Sequence, residues 1–337
     1  MTRGWIAYTS GSPCPTLVLL REDGWPARRS ALSGLLLGVY ETLCARGAGH
    51  VLKIALVSPS TASAVGLDYR FVQVVPGERN RLEFGGSCGH SILSAVLSAS
   101  RAGTQAPLRA GDRVRVRVLN NEDIVVCEAL EVGPAGGHAT FTVRFRRTSP
   151  TRLGSTLLLG EPVSTLPDGG PPFSLVSLGN PYVFADARAF GVHTEAELFG
   201  AGEPLFRRLS GLREAVARRL GWTSPCFPKI AALLPGAQGA LTARAISVPS
   251  WHPSLALTGA TCLAAASAVP GTVPARLGAL PGERLTIRTP GGDSVVRVTA
   301  SADRLLEVSV SPKTVRMVAV LDLPDLAPAP EPTLSAP

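Results

Sequence analysis

The chain has 337 residues, 45% of them hydrophobic and only 5% aromatic, with a formal net charge of +8. That length suits two domains with real cores, and no apolar run reaches the ~20 residues that a membrane-crossing helix needs. The 33 Lys and Arg residues are scattered, with no long basic run; with few aromatic rings to stack bases, the charge fits attraction of small acidic substrates better than nucleic-acid binding.

Met1-Thr2-Arg3-Gly4-Trp5 lacks the apolar stretch of a signal peptide, so a cytoplasmic monomer or homodimer is expected. Alternation of apolar and polar residues predicts strands at 5–9 and 16–20, a helix over 30–40, a strand over 53–57 ending in Ser58-Pro59-Ser60, and a strand over 69–75. Glu83-Phe84-Gly85-Gly86-Ser87-Cys88-Gly89-His90 then turns into an apolar helix that runs to about 102. Strands follow at 113–119, 123–131 and 139–144, with Asn120-Asn121 and Gly133-Pro134 suited to hairpin turns. The Pro-, Gly-, Thr- and Ser-rich stretch 148–173 reads as a linker.

The second half has strands at 173–178 and 182–184 around Gly179-Asn180-Pro181, with Asn180 read as a turn residue. An amphipathic helix over 203–220 carries Leu205, Leu209, Leu212 and Val216 on one face. Strands at 229–234 and 240–247 lead to Leu257-Thr258-Gly259-Ala260-Thr261-Cys262, a second Gly-containing turn that feeds a small-residue helix. Further strands are expected at 284–288, 294–300, 305–310 and 315–321, and a disordered tail over 324–337. The two halves therefore repeat one plan, a curled sheet around a central helix. Two helix N-termini would then meet at a shared cleft, a cradle for a carboxylate or enolate.

Cys88 sits at one of these helix entrances, either simply packed or ionised more easily than a free thiol. All six cysteines are widely spaced, with no CxxC and no Cys/His cluster. Reduced thiols are expected, and no metal site. Only Lys53, Lys229 and Lys313 are lysine in an otherwise arginine-based chain. An amine can lose its proton when buried and a guanidinium cannot, so each lysine position matters unless codon bias alone placed it.

Several segments, in order, carry a resemblance: Leu52 to Ser60, Leu67 to Val74, Gly86-Ser87-Cys88-Gly89-His90, Gly179-Asn180-Pro181 with Phe184, and Pro228-Lys229-Ile230. His252, Thr258-Gly259-Ala260, Pro270-Gly271-Thr272-Val273 and Thr314-Val315-Arg316 complete it. Over nearly its whole length the chain resembles the PrpF family, which has the diaminopimelate-epimerase-like fold. The resemblance implies an α+β protein of two pseudo-symmetric domains, each a curled, mainly antiparallel sheet around a central helix. The domains would span 1–165 and 170–312, with a last strand at about 313–323 rejoining the first.

The resemblance also implies a cofactor-free isomerase or tautomerase of unsaturated carboxylic acids, as in 2-methylaconitate isomerases, methylitaconate isomerases and oxalomesaconate tautomerases. A lysine and a cysteine face the substrate in that family, and the matching positions are Lys53 and Cys88. Desolvation at the start of an apolar strand would suit Lys53 to act as a base; the alternative is a surface amine at a strand end. The expected substrate-binding set is Ser58, Ser60, Gln73, Ser87, Gly89, His252, Thr258, Gly259 and Ala260, although Ser58, Ser60 and Thr258 also read as caps and His252 as a loop histidine.

Two departures stand out. The family's Arg-Gly-Gly-Thr-Ser-Lys-Gly loop is replaced by Thr9-Ser10-Gly11-Ser12-Pro13-Cys14-Pro15-Thr16, without Arg or Lys, so a less anionic substrate is expected. The family's Asn-Cys-Gly-Asn is here Ser87-Cys88-Gly89-His90, which makes His90 either a new acid/base beside Cys88 or a tolerated polar residue. The leading expectation is a proton-shift isomerase, with specialised metabolism suggested by the Arg- and Ala-rich composition. A cyclase on a less charged intermediate and a catalytically silent binding protein are the alternatives.

Overall fold

Alternating strands form most of the secondary structure, and two runs of small residues place two helices inside it. The computed structural model describes residues 2–62, 64–77, 80–247, 250–278, 283–324 and 326. The first half comprises β1 (Thr2–Thr9), β2 (Thr16–Leu20), α1 (Arg29–Ala45), β3 (Lys53–Pro59), β4 (Leu67–Val75), β5 (Arg81–Glu83), α2 (Gly89–Ala102), β6 (Arg113–Val118), β7 (Asp123–Val132) and β8 (His138–Arg152). The second comprises β9 (Phe173–Leu178), β10 (Asn180–Asp186), α3 (Glu195–Phe199), α4 (Glu203–Arg219), β11 (Lys229–Pro235), β12 (Leu241–Ser247), β13 (Ser250–His252), α5 (Leu257–Ser267), α6 (Val273–Leu277), β14 (Arg284–Arg288) and β15 (Ser294–Ser301), and β16 (Arg304–Leu323) closes the chain.

The strands pair in the order β1-β2-β3-β4-β6-β7-β8-β16, and β16 pairs back with β1, closing a ring of eight. From β16 the path continues through β15-β14-β12-β11-β10-β9. The pairing rules repeat. β2–β3 and β4–β6 are parallel in the first half, and β10–β11 and β12–β14 are parallel in the second. In each half a helix crosses over outside the sheet at the first parallel pair, and the central helix follows the short strand at the second. β3 and β11 thus occupy equivalent places, as do β4 and β12, and α2 and α5.

Small side chains explain why α2 and α5 lie inside. Gly89 through Ala99 of α2 are all buried, and so is every residue of α5. Gly, Ala and Ser let strands approach from every side, and Ile92, Leu93, Val96, Leu97 and Leu263 fill the remaining space. The outer helices bury one stripe only. Leu32, Leu36, Val39 and Leu43 of α1 pack on Leu17, Leu19, Ile54 and Leu56, and Leu205, Leu209, Leu212 and Val216 of α4 cover β9–β12.

Three expectations change. The strands expected at 305–310 and 315–321 are one strand, β16, whose pairing with β8 shifts register between Val310 and Lys313. Pro312, which donates no ladder hydrogen bond, made this bulge look like an end. The strand expected to end at 144 runs to Arg152, and a 3-10 turn at Leu153–Thr156 follows, so polar composition concealed a strand in the expected linker. In the expected tail, Leu326 is buried against the α1 cluster, while 325 and 327–337 lie outside the described residues.

Candidate active site

The two central helices meet end to end. A Cβ on Gly89 would lie 2.6 Å from the Cβ of Leu257, so the first turns of α2 and α5 touch through a glycine. Cys88 caps α2 and Ala256 caps α5, and both border one pocket. Neither helix start is capped by its own N-cap side chain, so first-turn N–H groups and their partial positive charge are directed at this junction.

Asn180 ties the junction together. Its Oδ1 accepts from the Ser87 N–H at 3.0 Å, and its Nδ2 donates to the Ser87 carbonyl at 2.8 Å and to Thr258 Oγ1 at 3.1 Å. The expected turn residue is therefore a buried link between halves. The turn itself is made by Gly179, at φ 88°.

The strands bring lysines to the same place. Lys53 opens β3 and Lys229 opens β11, at equivalent positions, and both line the pocket. Lys53 is buried, and its Nζ donates to Ser12 Oγ at 2.8 Å; that hydroxyl donates to the Cys14 carbonyl at 2.8 Å. The Thr9–Thr16 loop, which contains no Arg or Lys, thus holds the amine through serine. Burial lowers the Lys229 amine, although the neighbouring Cys226 and Cys88 partly oppose this.

Burial pushes the Cys88 thiol up. The Lys53 charge, hydrogen bonds with Ser91 and the Lys229 charge outweigh that and hold it below its ordinary value. Tyr69 donates from its hydroxyl to the Cys88 carbonyl at 3.2 Å. None of the six cysteines forms a disulfide.

His252, in β13, forms another wall. The Ser254 N–H donates to its Nδ1 at 3.2 Å, which leaves Nε2 as the N–H of the neutral ring. Burial, then the Lys53 and Lys229 charges, hold this imidazole well below its usual range. His90 lies one layer deeper, fully buried, with its ring 5.8 Å from that of His252. Among the described residues neither of its ring nitrogens has a partner, and burial followed by the Lys53 charge keeps it neutral.

Of the expected residues, Lys53, Gln73, Ser87, Cys88, His252 and Thr258 line the pocket. His90 and Ala260 are buried behind it. Gly89 and Gly259 serve close packing, the latter against the Tyr182 ring, 2.6 Å from where its Cβ would be. Ser58 and Ser60 do not belong to the pocket. They lie five and seven positions along from Lys53, roughly 17 and 23 Å at ~3.3 Å per residue, and Ser60 Oγ accepts from the Ala62 N–H. An extended strand carries residues five and seven positions on well away from its start.

Lys229, Glu83, Cys226 and Phe227 were not expected in the pocket. Lys229 had one usable signal, a rare lysine opening an apolar strand as Lys53 does. Among the described residues no three His, Cys, Asp or Glu side chains converge as metal ligands, and no helix is long and apolar enough to cross a membrane.

Comparison with known proteins bears on the fold and the family. A family model described as PrpF protein matches residues 44–319. The (4E)-oxalomesaconate Delta-isomerase of Novosphingobium sp. is 26% identical over 265 residues, 72% of this chain and 73% of that protein. The 4-oxalomesaconate tautomerase of Pseudomonas putida is 24% identical over 269 residues, 73% and 74% of the two. The crystal structure of a methylitaconate-delta-isomerase shares the fold at 19% identity, with a TM-score of 0.70 over 95% of this chain and 94% of that one. With well over half of its residues inside the family match, this chain belongs to the PrpF family and is an isomerase.

Proposed function

We propose that the chain moves a proton between carbons of a small unsaturated or enolisable carboxylate or carbonyl compound, without a cofactor. The observation that carries this is the pair of equivalent lysines, Lys53 and Lys229, facing one pocket with Cys88 at a helix entrance. Lys229, whose amine is lowered by burial, removes the proton. The C–H electron pair passes into the conjugated system and leaves negative charge on the carbonyl oxygens. The Lys53 ammonium, the His252 Nε2–H and the helix N-termini stabilise that charge. The Cys88 thiol, beside Lys53, returns a proton to the second carbon, and the Lys229 ammonium and Cys88 thiolate then exchange protons with water.

The names of the relatives, an oxalomesaconate isomerase and an oxalomesaconate tautomerase, support this class of reaction. The test is incubation with unsaturated acids in D2O, read by proton NMR. Wild type introduces deuterium at carbon, and Lys229→Met and Lys229→Arg each lose at least ~100-fold, the contribution expected of a positioned base. Arginine keeps the charge but cannot give up its proton, so an active Lys229→Arg removes Lys229 from the base role. Failure of deuterium to enter any acid that binds would sink the proton-shift reading.

A further inference from the structure

The lysines are duplicated, but what lies across the sheet from each is not. Lys53 pairs in register with Gln73 on β4, and Gln73 with Glu83 on β5. Residues opposite one another on neighbouring strands share a face, and all three of these line the pocket. At ~4.8 Å per strand the row spans roughly 10 Å, from an ammonium to a carboxylate. Between them, Gln73 Nε2 donates to the Leu52 and Val74 carbonyls, which leaves its Oε1 as the acceptor. On the other side the β11–β12 register, one step beyond Ile230 and Ile246, sets Lys229 opposite Ser247, and Ser247 pairs with Ser250 on β13, so the equivalent row ends in a neutral serine where the first ends in Glu83.

Glu83 is held firmly and by neutral donors. The Gly85 N–H donates to Oε1 at 2.7 Å, and Ser224 Oγ, from the other half of the chain, donates to Oε2 at 2.6 Å. Glu83 also borders an outer depression with Arg29 and Arg81, so it stands where the pocket opens outward. A short ligand whose carboxylate lies against Lys53 meets the Glu83 carboxylate before it reaches either arginine.

We propose that Glu83 sets the substrate class: a short unsaturated monocarboxylate that carries a hydrogen-bond donor, an amino or hydroxyl group, at the end away from Lys53. A second carboxylate there faces like charge, whereas an ammonium or hydroxyl completes the row. The inference rests on this pocket being the substrate site, as proposed above, but not on the proton shift itself.

Four probes of one length separate the possibilities: trans-4-aminocrotonate, trans-4-hydroxycrotonate, crotonate and fumarate. Affinity is read as protection of Cys88 from iodoacetamide, by mass spectrometry. On wild type the amino and hydroxy acids bind about tenfold or more tighter than fumarate, with crotonate between. In Glu83→Gln, where Gln can still accept from the Gly85 N–H, fumarate gains about tenfold and the amine loses its advantage over crotonate. Fumarate binding wild type as tightly as 4-aminocrotonate overturns the proposal, and this comparison needs no variant. An unchanged order in Glu83→Gln overturns it as well, as does no protection by either donor-bearing acid at ~20 mM. The predicted order without deuterium entry would leave Glu83 as the selecting residue and sink only the proton shift.

Discussion

Removing Asn180 tests whether the two halves are joined as described. Asn180→Ala deletes three hydrogen bonds at once, and the Ser87 N–H and carbonyl, both in a buried residue, lose their partner. A buried polar group left unpaired costs about 1–3 kcal/mol, so two such groups set a range of about 2–6 kcal/mol. Asn180 borders the pocket, and water entering there can restore part of the bonding. The expected loss is therefore about 2–3 kcal/mol. Thr258→Val removes the third bond together with the one Thr258 makes with the buried Tyr182 hydroxyl, and should cost about 1–2 kcal/mol. The assay is urea unfolding followed by tryptophan fluorescence, with deuterium exchange at substrate carbon measured in parallel. Asn180→Ala should lower the unfolding midpoint and slow exchange, because the Ser87–Cys88 backbone loses its anchor to the second half. A change in stability below ~0.5 kcal/mol, or a Thr258→Val loss as large as that of Asn180→Ala, would refute the reasoning.

Two predictions concern pH. His90 and His252 are kept neutral in the fold, with burial as the first cause, whereas the unfolded imidazoles take up protons near pH 6.5. Stability should be lost as pH falls through that value, and His90→Asn should lose less of it between pH 7 and 5; parallel urea midpoints for the two proteins would count against this. Lys313, buried and donating to Ser294 Oγ at 2.7 Å, is lowered by burial from 10.5 to about 8. Between those values the unfolded chain binds the extra proton, so the penalty is full below pH 8 and fades as pH rises. Lys313→Met should be more stable than wild type by up to about 3 kcal/mol at pH 7, with the gap closing by pH 10.5, as followed by urea midpoints.

Residues that interact with near neighbours were legible in the sequence. The alternation in 69–75 marks β4, and the Gly-rich turns before α2 and α5 mark helices surrounded by strands. Cys88 and His252 were legible because each adjoins such a turn. What escaped notice depends on distant partners. Gly179-Asn180-Pro181 has the composition of a turn, and only the folded chain brings Ser87 and Thr258 to its amide. Glu83 was read as part of a turn entrance, because its place in a row with Gln73 and Lys53 is a matter of strand register. Ser58 and Ser60 show the converse, since closeness along an extended strand is not closeness in space.

The lysines show why burial chemistry, rather than drift, fits their placement. All three lie in the interior or in the pocket. A guanidinium in those positions would stay charged at any ordinary pH and would require carboxylates or carbonyls around it. Arg213 illustrates the requirement: buried in α4, it donates to the Pro225 carbonyl and to Glu214. Lys53 has a serine hydroxyl, Lys313 another, and Lys229 has thiols and an aromatic ring beside it. Among the described residues neither Lys229 nor Lys313 has a carboxylate partner in contact, so at these two positions a group able to shed its proton fits where a permanent cation would not. An amine that can be neutral is also the group that a proton shift needs, so at Lys229 the demands of burial and of the proposed chemistry select the same residue.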